Sequence, residues 1–252
     1  MYKNLMKAKL EQGKPVSGVV IQEASTSIAE MIGLLGFDYL FIDCEHSSIH
    51  SSGVTQLIMA SELRGLTPLV RPAKNEAEFM LNYLDSGAQG IIVPGLSTPE
   101  DAKRVVNGVK YPPIGERGLA GVRSADYGLK GTLGDYVKIA NEETMVLGVL
   151  EDTEGIKNID AILNTVGLDA IFIGTNDLSR SLGFPGQTNH PKVLEAMDII
   201  LKAGEKAGKP IGGVVRGGET AKQYIEKGFK IVLTSVIGIV ASGGKQFLAN
   251  FK

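Results

Sequence analysis

The chain has 252 residues, with 26 lysine and arginine residues against 28 aspartate and glutamate residues, and its formal net charge is −2. This length suits one large domain with a substantial core. Because basic and acidic residues are interspersed, the charge gives no reason to expect nucleic acid or an anionic membrane as a partner. We therefore expect a small-molecule partner.

The N-terminal segment and the cysteine content indicate a cytoplasmic protein. Residues 1–15 form a short charged stretch without the apolar segment of a signal peptide, and no later run is long enough to span a bilayer. The single cysteine, Cys44, cannot form an intramolecular disulfide, which agrees with a reducing compartment.

Eight short runs rich in Val, Ile, Leu and Phe recur along the chain. They cover residues 17–22, 39–43, 68–72, 90–95, 146–151, 170–174, 211–215 and 231–236. Near-continuous apolarity is typical of parallel strands buried on both faces. Segments with helical spacing separate the runs, and most of them stop at a glycine. No dinucleotide-binding glycine pattern follows the first run, so we predict an α/β protein with a single (β/α)8 TIM barrel over residues 1–252.

Polar residues follow several of the predicted strands. In a (β/α)8 barrel the catalytic and ligand-binding residues lie at the C-terminal ends of the strands. Opposite charges and a histidine at one mouth are costly to desolvate for stability alone, whereas a metal and an anionic substrate would use them directly. The predicted ring of polar residues comprises Gln22, Asp43, Glu45, His46, Arg71, Glu151, Asp177 and Arg216.

Glu151 and Asp177 each stand where an apolar run gives way to a polar loop. Two carboxylates at adjacent strand ends could bind Mg²⁺, Mn²⁺ or a similar ion, with water and substrate oxygens as the other ligands. Alternatively, each caps the helix that follows it, although Asp152 or Thr153 could equally cap the helix after the fifth strand. Their occurrence together at strand ends favours the metal site.

Two further groups of residues have both a chemical and a structural interpretation. The cluster of Asp43, Glu45 and His46 could hold a histidine in one tautomer for acid and base chemistry, or it contains a loop histidine bonded to a neighbouring carboxylate. Arg71 could bind a carboxylate or a developing oxyanion through its planar guanidinium group, or it forms an ion pair with Asp43.

The placement of lysine constrains the mechanism. A Schiff-base aldolase on this fold needs a lysine that projects from a strand into the barrel, and none of the eight runs contains one internally. Carbonyl chemistry here would therefore need a metal as the electron sink.

Two loops are also of interest. Gly174, Thr175 and Asn176 leave backbone N–H groups exposed near the start of a helix, which suits a carboxylate, although a simple strand-to-helix turn is also compatible. Residues 111–130 form a long connection for a barrel, and this predicts a lid or a subunit contact.

The chain resembles the HpcH/HpaI aldolase family over nearly its whole length. The motifs that carry the resemblance are FDYLFIDCEH, VRP, LDSGAQGIIVP, YPPIGERG, the glutamate of VLEDTEG, and FIGTNDLSRSLGFPGQTNHP. The resemblance implies a barrel of the phosphoenolpyruvate/pyruvate type and a class II aldolase that depends on Mg²⁺, Mn²⁺ or Co²⁺. Such an enzyme cleaves a 2-keto-4-hydroxy acid to pyruvate and an aldehyde through a metal-stabilised pyruvate enolate. It also implies a homo-oligomer, namely a hexamer built of dimers that exchange their C-terminal helices.

The resemblance further implies a role for each matching residue. The metal ligands would be Glu151 and Asp177, and the backbone of Gly174, Thr175 and Asn176 would receive the pyruvate carboxylate. Arg71 would polarise the keto oxygen. Proton transfer at the aldehyde end would fall to His46, with two supporting carboxylates, Asp43 and Asp85.

One departure from the family pattern affects the expected substrate. Members commonly carry a glutamine two residues before the metal-binding glutamate, but this chain has Val149. Loss of an amide removes hydrogen bonds near a metal, so we expect a different substrate or efficiency. Two alternatives stay open: a citrate synthase-like condensing enzyme of siderophore biosynthesis, which the segments GERGLAGVRSADYG and EDTEGIKNIDAIL also resemble, and a non-catalytic barrel that binds a small acid.

Overall fold

A computed structural model describes residues 1–251, which form a closed barrel of eight parallel strands. The strands follow one another around the barrel in chain order, and the last pairs with the first. They are β1 (Val16–Ile21), β2 (Tyr39–Asp43), β3 (Thr67–Arg71), β4 (Gly90–Val93), β5 (Met145–Leu150), β6 (Ala170–Ile173), β7 (Ile211–Val214) and β8 (Ile231–Ser235). The predicted (β/α)8 TIM barrel is confirmed, and every strand end lies within two residues of its predicted position.

Helices surround the strands. The described residues contain α1 (Leu5–Glu11), α2 (Thr26–Leu34), α3 (Ser51–Leu63), α4 (Ala77–Asp85), α5 (Pro99–Val109), α6 (Leu133–Glu143), α7 (Thr153–Lys157), α8 (Ile159–Leu163), α9 (Thr175–Ser181), α10 (Pro191–Ala207), α11 (Gly218–Glu226) and α12 (Val236–Phe251), with a 3-10 helix at Arg123–Gly128. Within residues 1–251, no helix combines the length and apolarity needed to cross a bilayer.

The strands bury both of their faces. One cluster of side chains fills the barrel interior and includes Leu147, Val149 and Phe172. The intervening residues, such as Val146 and Leu150, face outward into the larger cluster between the strands and the helices. Because side chains alternate along a strand, the residue two positions beyond an interior residue also faces inward. Glu151 lies two residues after the interior residue Val149, so its side chain points toward the mouth of the barrel.

The N-terminal end of the barrel is covered by the segment that contains α1. Met6 is fully buried among the interior side chains, and its backbone N–H donates to Thr67 Oγ1 at 3.1 Å. The Asn4 side chain donates to the carbonyl oxygens of Gln89 and Glu143 at 3.1 and 2.9 Å. The C-terminal ends of the strands therefore form the open face of the barrel.

Two expectations from the sequence are corrected. Asp177 does not precede a helix, because the chain turns from β6 into α9 at Gly174 and α9 already begins at Thr175. The long connection at residues 111–130 is not a lid over this chain's own barrel, because none of its residues lines the cavity at the open face. Arg123 instead bonds to Glu62 of α3, so the connection lies against the outer helices.

Candidate active site

A cavity of about 420 Å³ opens at the C-terminal ends of the strands. This volume is typical of small-molecule sites. Most of the polar ring predicted from the sequence lines it, namely Gln22, Asp43, His46, Arg71, Glu151, Asp177 and Arg216, together with Gly174, Thr175 and Asn176. Parallel strands bring these residues together from distant parts of the chain because all their C-terminal ends meet at one face.

On the side of β2 and β3, Arg71 is held by two carboxylates. Its Nε and Nη2 donate to the two oxygens of Asp43 at 2.9 and 2.8 Å, and its Nη1 lies 2.8 Å from Glu45 Oε2. Burial alone would raise the pKa of Asp43, but the bonds and charge of Arg71, together with the bonds from the His46 backbone and Gln22, hold that pKa below its ordinary value. The ion pair with Asp43 that the sequence left open therefore exists.

The ion pair leaves some N–H donors of Arg71 unused. A guanidinium group has five N–H donors in a fixed plane, and these three contacts use three of them. The side chain is 16% exposed and lines the cavity. Arg71 therefore retains donors for a ligand while Asp43 and Glu45 fix the orientation of its plane, so the structural and the functional interpretations are compatible.

His46 lines the cavity, but its imidazole is held loosely. Its Nε2 lies 3.8 Å from Glu45 Oε2, which is too long for a hydrogen bond, and the side chain is 64% exposed. Asp43 Oδ1 accepts from the backbone N–H groups of Glu45 and His46, at 3.1 and 3.2 Å. Asp43 thus shapes the loop that carries His46 and does not contact the imidazole, which differs from the arrangement expected from the sequence.

On the side of β5 and β6, Glu151 is close to other acids. Its Oε1 accepts from the backbone N–H of Gly95 at 2.9 Å. Burial raises the pKa of Glu151, and the nearby charges of Asp177 and Glu45 raise it further, against the opposing effects of Gly95 and Arg71. The ionised form of Glu151 is therefore destabilised in the absence of a nearby cation.

Helix capping does not account for Glu151 or Asp177. The N-cap of α7 is Asp152, whose Oδ1 accepts from Gly155 N–H at 2.7 Å. The N-cap of α9 is Gly174, and Asp177 lies in the first turn, where its Oδ1 pairs with the exposed Arg180 at 3.1 Å. This leaves both carboxylates available to a ligand in the cavity.

Gly174 allows the turn between β6 and α9 to approach Glu151 closely. A Cβ atom at this position would lie 2.6 Å from Glu151 Oε2 and 2.9 Å from Val149 Cγ1, far inside normal contact. The backbone and the carboxylate therefore share one small space, in which only a glycine fits.

The donor set suits a hard divalent cation with an open coordination sphere. Among residues 1–251, no group of three or more His, Cys, Asp or Glu side chains is arranged to hold a metal. Glu151 and Asp177 would thus supply two oxygen ligands, and water and substrate would supply the rest, which is the usual arrangement for Mg²⁺. The raised pKa of Glu151 also fits, since a cation would offset the repulsion between the two acids.

Asp85 lies outside the cavity. It is the last residue of α4, and its Oδ1 accepts from Nη2 of the buried Arg117 at 2.9 Å. Within this chain it does not reach His46, so its role as a supporting carboxylate stays a prediction.

Several residues that line the cavity were not singled out from the sequence. Thr188 and Asn189 come from the loop before α10, and Thr220 and Tyr224 come from α11. Spacing gives no signal for them, because they lie in loops or on helix faces whose orientation depends on tertiary packing. The predicted absence of lysine holds, since no lysine is among the residues that line the cavity within the described chain.

Comparisons with known proteins identify the family of the chain. The sequence profile of the HpcH/HpaI aldolase/citrate lyase family matches residues 17–241. A hydroxypyruvate/pyruvate aldolase of Sagittula stellata is 34% identical over 236 residues, which cover 93% of this chain and 92% of that protein. A 4-hydroxy-2-oxo-heptane-1,7-dioate aldolase of Shigella sonnei is 33% identical over 249 residues, which cover 98% of this chain and 95% of that protein.

Solved structures show the same relationship. An HpcH/HpaI aldolase/citrate lyase family protein from Burkholderia cenocepacia has a TM-score of 0.93 at 32% identity and covers 99% of both chains. The citrate synthase SbnG has a TM-score of 0.88 at 30% identity and covers 98% of this chain and 97% of that one. With its fold and its sequence both matching, the chain belongs to the HpcH/HpaI aldolase/citrate lyase family.

Proposed function

We propose that the protein is a class II aldolase that uses a divalent metal to cleave a 2-keto-4-hydroxy acid into pyruvate and an aldehyde. The observation that carries the proposal is the pair of carboxylates, Glu151 and Asp177, which line one cavity with Arg71 and His46. The aldolase activity of the relatives from Sagittula stellata and Shigella sonnei, each about a third identical over nearly the whole chain, supports it.

Glu151 and Asp177 would hold the cation, either Mg²⁺, Mn²⁺ or Co²⁺. A cation bound there supplies a Lewis acid that polarises the keto oxygen of the substrate and stabilises the negative charge of the enolate. The first-turn N–H groups of α9, which no side chain caps, would receive the carboxylate at Gly174, Thr175 and Asn176.

Arg71 and His46 would act on the two oxygens that change during the reaction. The free N–H donors of Arg71 would face the keto oxygen, where negative charge develops. The exposed imidazole of His46 would accept the proton of the 4-hydroxyl group as the bond between C3 and C4 breaks, and protonation of the enolate at C3 would then give pyruvate. Its loose attachment in the structure leaves room for a substrate hydroxyl to orient it.

The direct test is release of pyruvate from 4-hydroxy-2-keto acids, measured with and without a chelator. We expect release that stops when the metal is removed and returns when Mg²⁺ or Mn²⁺ is added. Full activity after thorough metal removal would refute the metal-dependent mechanism. A protein that never releases pyruvate from any member of a substrate panel would instead be the non-catalytic small-acid-binding barrel.

The likeness to the citrate synthase SbnG supplies a second candidate function, citrate formation, which ranks below the aldolase. The same carboxylates would then hold a metal that binds oxaloacetate, with acetyl-coenzyme A as the second substrate. Incubation with both compounds, followed by detection of citrate and free thiol, separates the two functions. We expect no citrate above the level of a heat-inactivated control.

We also propose that α12 docks on a second copy of the chain in a dimer-based oligomer, a hexamer. None of its residues from Val236 to Phe251 is buried, and several large apolar side chains are exposed, including Val240 (67%) and Phe247 (69%). The double variant Val240→Asp and Phe247→Asp should lower the mass measured by light scattering, and an unchanged mass would contradict this assembly.

With no intramolecular disulfide possible for its single Cys44, we propose that the protein is located in the cytoplasm.

A further inference from the structure

The segment between β4 and α5, residues 94–98 and here named the β4 loop, bonds to the chain at the end of β5. Three of its residues in a row donate hydrogen bonds there, namely Gly95 N–H to Glu151 Oε1 at 2.9 Å, Leu96 N–H to the Val149 carbonyl oxygen at 2.9 Å, and the Ser97 hydroxyl to an Asp152 carboxylate oxygen. The β4 loop therefore bonds to Glu151 itself and to a residue on each side of it.

The β4 loop is itself held in place. Leu96 is fully buried, and its side chain fills the space that a Cβ at Gly148 would need, at 2.4 Å from Leu96 Cδ2. The carbonyl oxygen of Ser97 accepts from Asn158 Nδ2 at 2.9 Å, and Thr98 forms the capping box that begins α5. The residues that follow Gly95 are thus anchored.

Gly95 has a left-handed backbone, with a φ of +63°. Residues other than glycine adopt this conformation at a cost, and asparagine does so more readily than most. A Cβ at Gly95 would meet no atom within 4 Å, so the conformation and not the available space restricts this position. Because Leu96 and Ser97 are anchored, a residue that rotates φ to a negative value moves its own N–H away from Glu151.

The bond from Gly95 makes the two carboxylate oxygens of Glu151 different. Oε1 accepts from Gly95, whereas Oε2 faces the turn at Gly174, since a Cβ there would lie 2.6 Å from it. That turn leads directly into α9, which carries Asp177 in its first turn. Oε2 is therefore the oxygen of Glu151 that lies on the side of Asp177.

We infer that Gly95 is a positioning residue of the metal site, and that its N–H holds Oε1 so that Glu151 binds the cation through Oε2 alone. This inference rests on the proposed function, because it takes Glu151 as a metal ligand. A carboxylate can occupy one or two coordination positions, and an octahedral cation such as Mg²⁺ has about six. With one position each for Glu151 and Asp177, the cation keeps enough positions for both oxygens of a 2-keto acid and for water.

The test compares Mn²⁺ binding in the wild type, Gly95→Ala and Gly95→Asn. Electron paramagnetic resonance without substrate would measure the dissociation constants, and thermal melting would check that each variant is folded. We expect Gly95→Ala to bind Mn²⁺ roughly 10-fold more weakly, as when groups that orient a metal ligand are lost. Gly95→Asn, which tolerates the left-handed backbone, should stay within about threefold of the wild type.

Gly36→Ala is the matched control. Gly36 lies between α2 and β2, at the end of the barrel opposite the mouth, with a φ of +89° and no atom within 4 Å of an added Cβ. It should therefore lower the melting temperature and keep the wild-type affinity for Mn²⁺. The inference is wrong if Gly95→Ala keeps the wild-type affinity, if Gly36→Ala weakens binding equally, or if Gly95→Asn binds as weakly as Gly95→Ala.

Pyruvate binding tests the number of oxygens that Glu151 offers to the cation. In Gly95→Ala saturated with Mn²⁺, a freed Oε1 would compete with the keto acid for a coordination position. Calorimetry should therefore show that pyruvate binds roughly 10-fold more weakly than to the wild type. An unchanged affinity for pyruvate would contradict binding through Oε2 alone.

The outcomes also distinguish this inference from the proposed function. A wild type that binds no Mn²⁺ would overturn both. Mn²⁺ binding and metal-dependent pyruvate release in the wild type, with unchanged Mn²⁺ affinity in Gly95→Ala, would overturn only the role of Gly95.

Discussion

The two sides of the barrel mouth contain similar charges but compensate them differently. On the side of β2 and β3, Asp43 and Glu45 are bonded to Arg71, and the bonds lower the pKa of Asp43. On the side of β5 and β6, Glu151 has only a backbone N–H as a close partner, and its pKa is raised. Asp43 and Glu45 on the first side both pair with Arg71, whereas on the second side Asp177 pairs only with the exposed Arg180 and, within residues 1–251, no cation pairs with Glu151. This difference supports the proposal that a metal binds on the side of Glu151 and Asp177.

Removing either acid from the second side should have the largest effect. Glu151→Gln and Asp177→Asn each replace a charged ligand with a neutral amide, so we expect pyruvate release to fall on the order of 1000-fold because the Lewis acid is lost or displaced. Turnover at saturating Mg²⁺ measures this, and circular dichroism checks that both variants stay folded. Variants that retain more than a tenth of the wild-type rate would show that the acids are not the metal ligands.

Breaking the ion pair between Arg71 and Asp43 on the first side should instead reduce the stability of the fold. The Asp43 side chain is 1% exposed, and Asp43→Asn leaves the partly buried Arg71 without one of its two charge partners. We expect a loss of about 3 kcal/mol in the free energy of unfolding, measured by urea denaturation. Arg64→Gln breaks the exposed Arg64 and Glu30 pair and should cost less than about 1 kcal/mol. Equal losses in the two variants would remove the distinction between a buried and a surface pair.

Gly174→Ala tests whether metal binding depends on the close approach of the Gly174 backbone to the Glu151 carboxylate. The new Cβ would lie 2.6 Å from Glu151 Oε2, so the carboxylate must move. We expect metal affinity to fall about 10- to 100-fold, as it does when groups that orient a ligand are displaced. The control is Gly134→Ala on α6, where a Cβ meets nothing closer than Thr132 Oγ1 at 3.7 Å. Unchanged metal affinity in Gly174→Ala would mean that Glu151 tolerates the displacement.

The smallest expected effect is on the stability of the metal-free protein. Because the folded state raises the pKa of Glu151, it binds that proton more tightly than the unfolded state does. Stability contributed by this group is present below its ordinary pKa and is lost as the pH rises through the raised value. Glu151→Gln lacks this titration, so it should melt slightly above the wild type at neutral pH without metal and should gain less from added Mg²⁺. A melting temperature that falls in Glu151→Gln would contradict the assigned repulsion.

The barrel could be predicted from the sequence because its physical cause is local. A strand buried on both faces must be apolar along its length, and each of the eight runs satisfies this requirement without reference to any other. α9 was harder to predict, because its sequence TNDLSRS is polar and has no apolar periodicity of its own. Its position depends on the packing of the turn at Gly174 against Glu151, which is a tertiary contact.

The site was only partly accessible to sequence reasoning for the same reason. Strand ends identified Arg71, Glu151 and Asp177, but whether Arg71 pairs with Asp43 depends on the register of β2 against β3, which aligns those two residues. Likewise, the observation that Asp152 caps α7 and releases Glu151 depends on side-chain orientation. Val149, the position at which this chain departs from the family pattern, lies in the cavity wall.

The most direct test of the contrast between the two sides is Mn²⁺ binding, measured by electron paramagnetic resonance without any substrate. The account predicts one Mn²⁺ ion per wild-type chain, no detectable binding in the double variant Glu151→Gln and Asp177→Asn, and retained binding in Asp43→Asn wherever that variant is folded. Wild-type affinity in the double variant would contradict the assignment of Glu151 and Asp177 as the metal ligands.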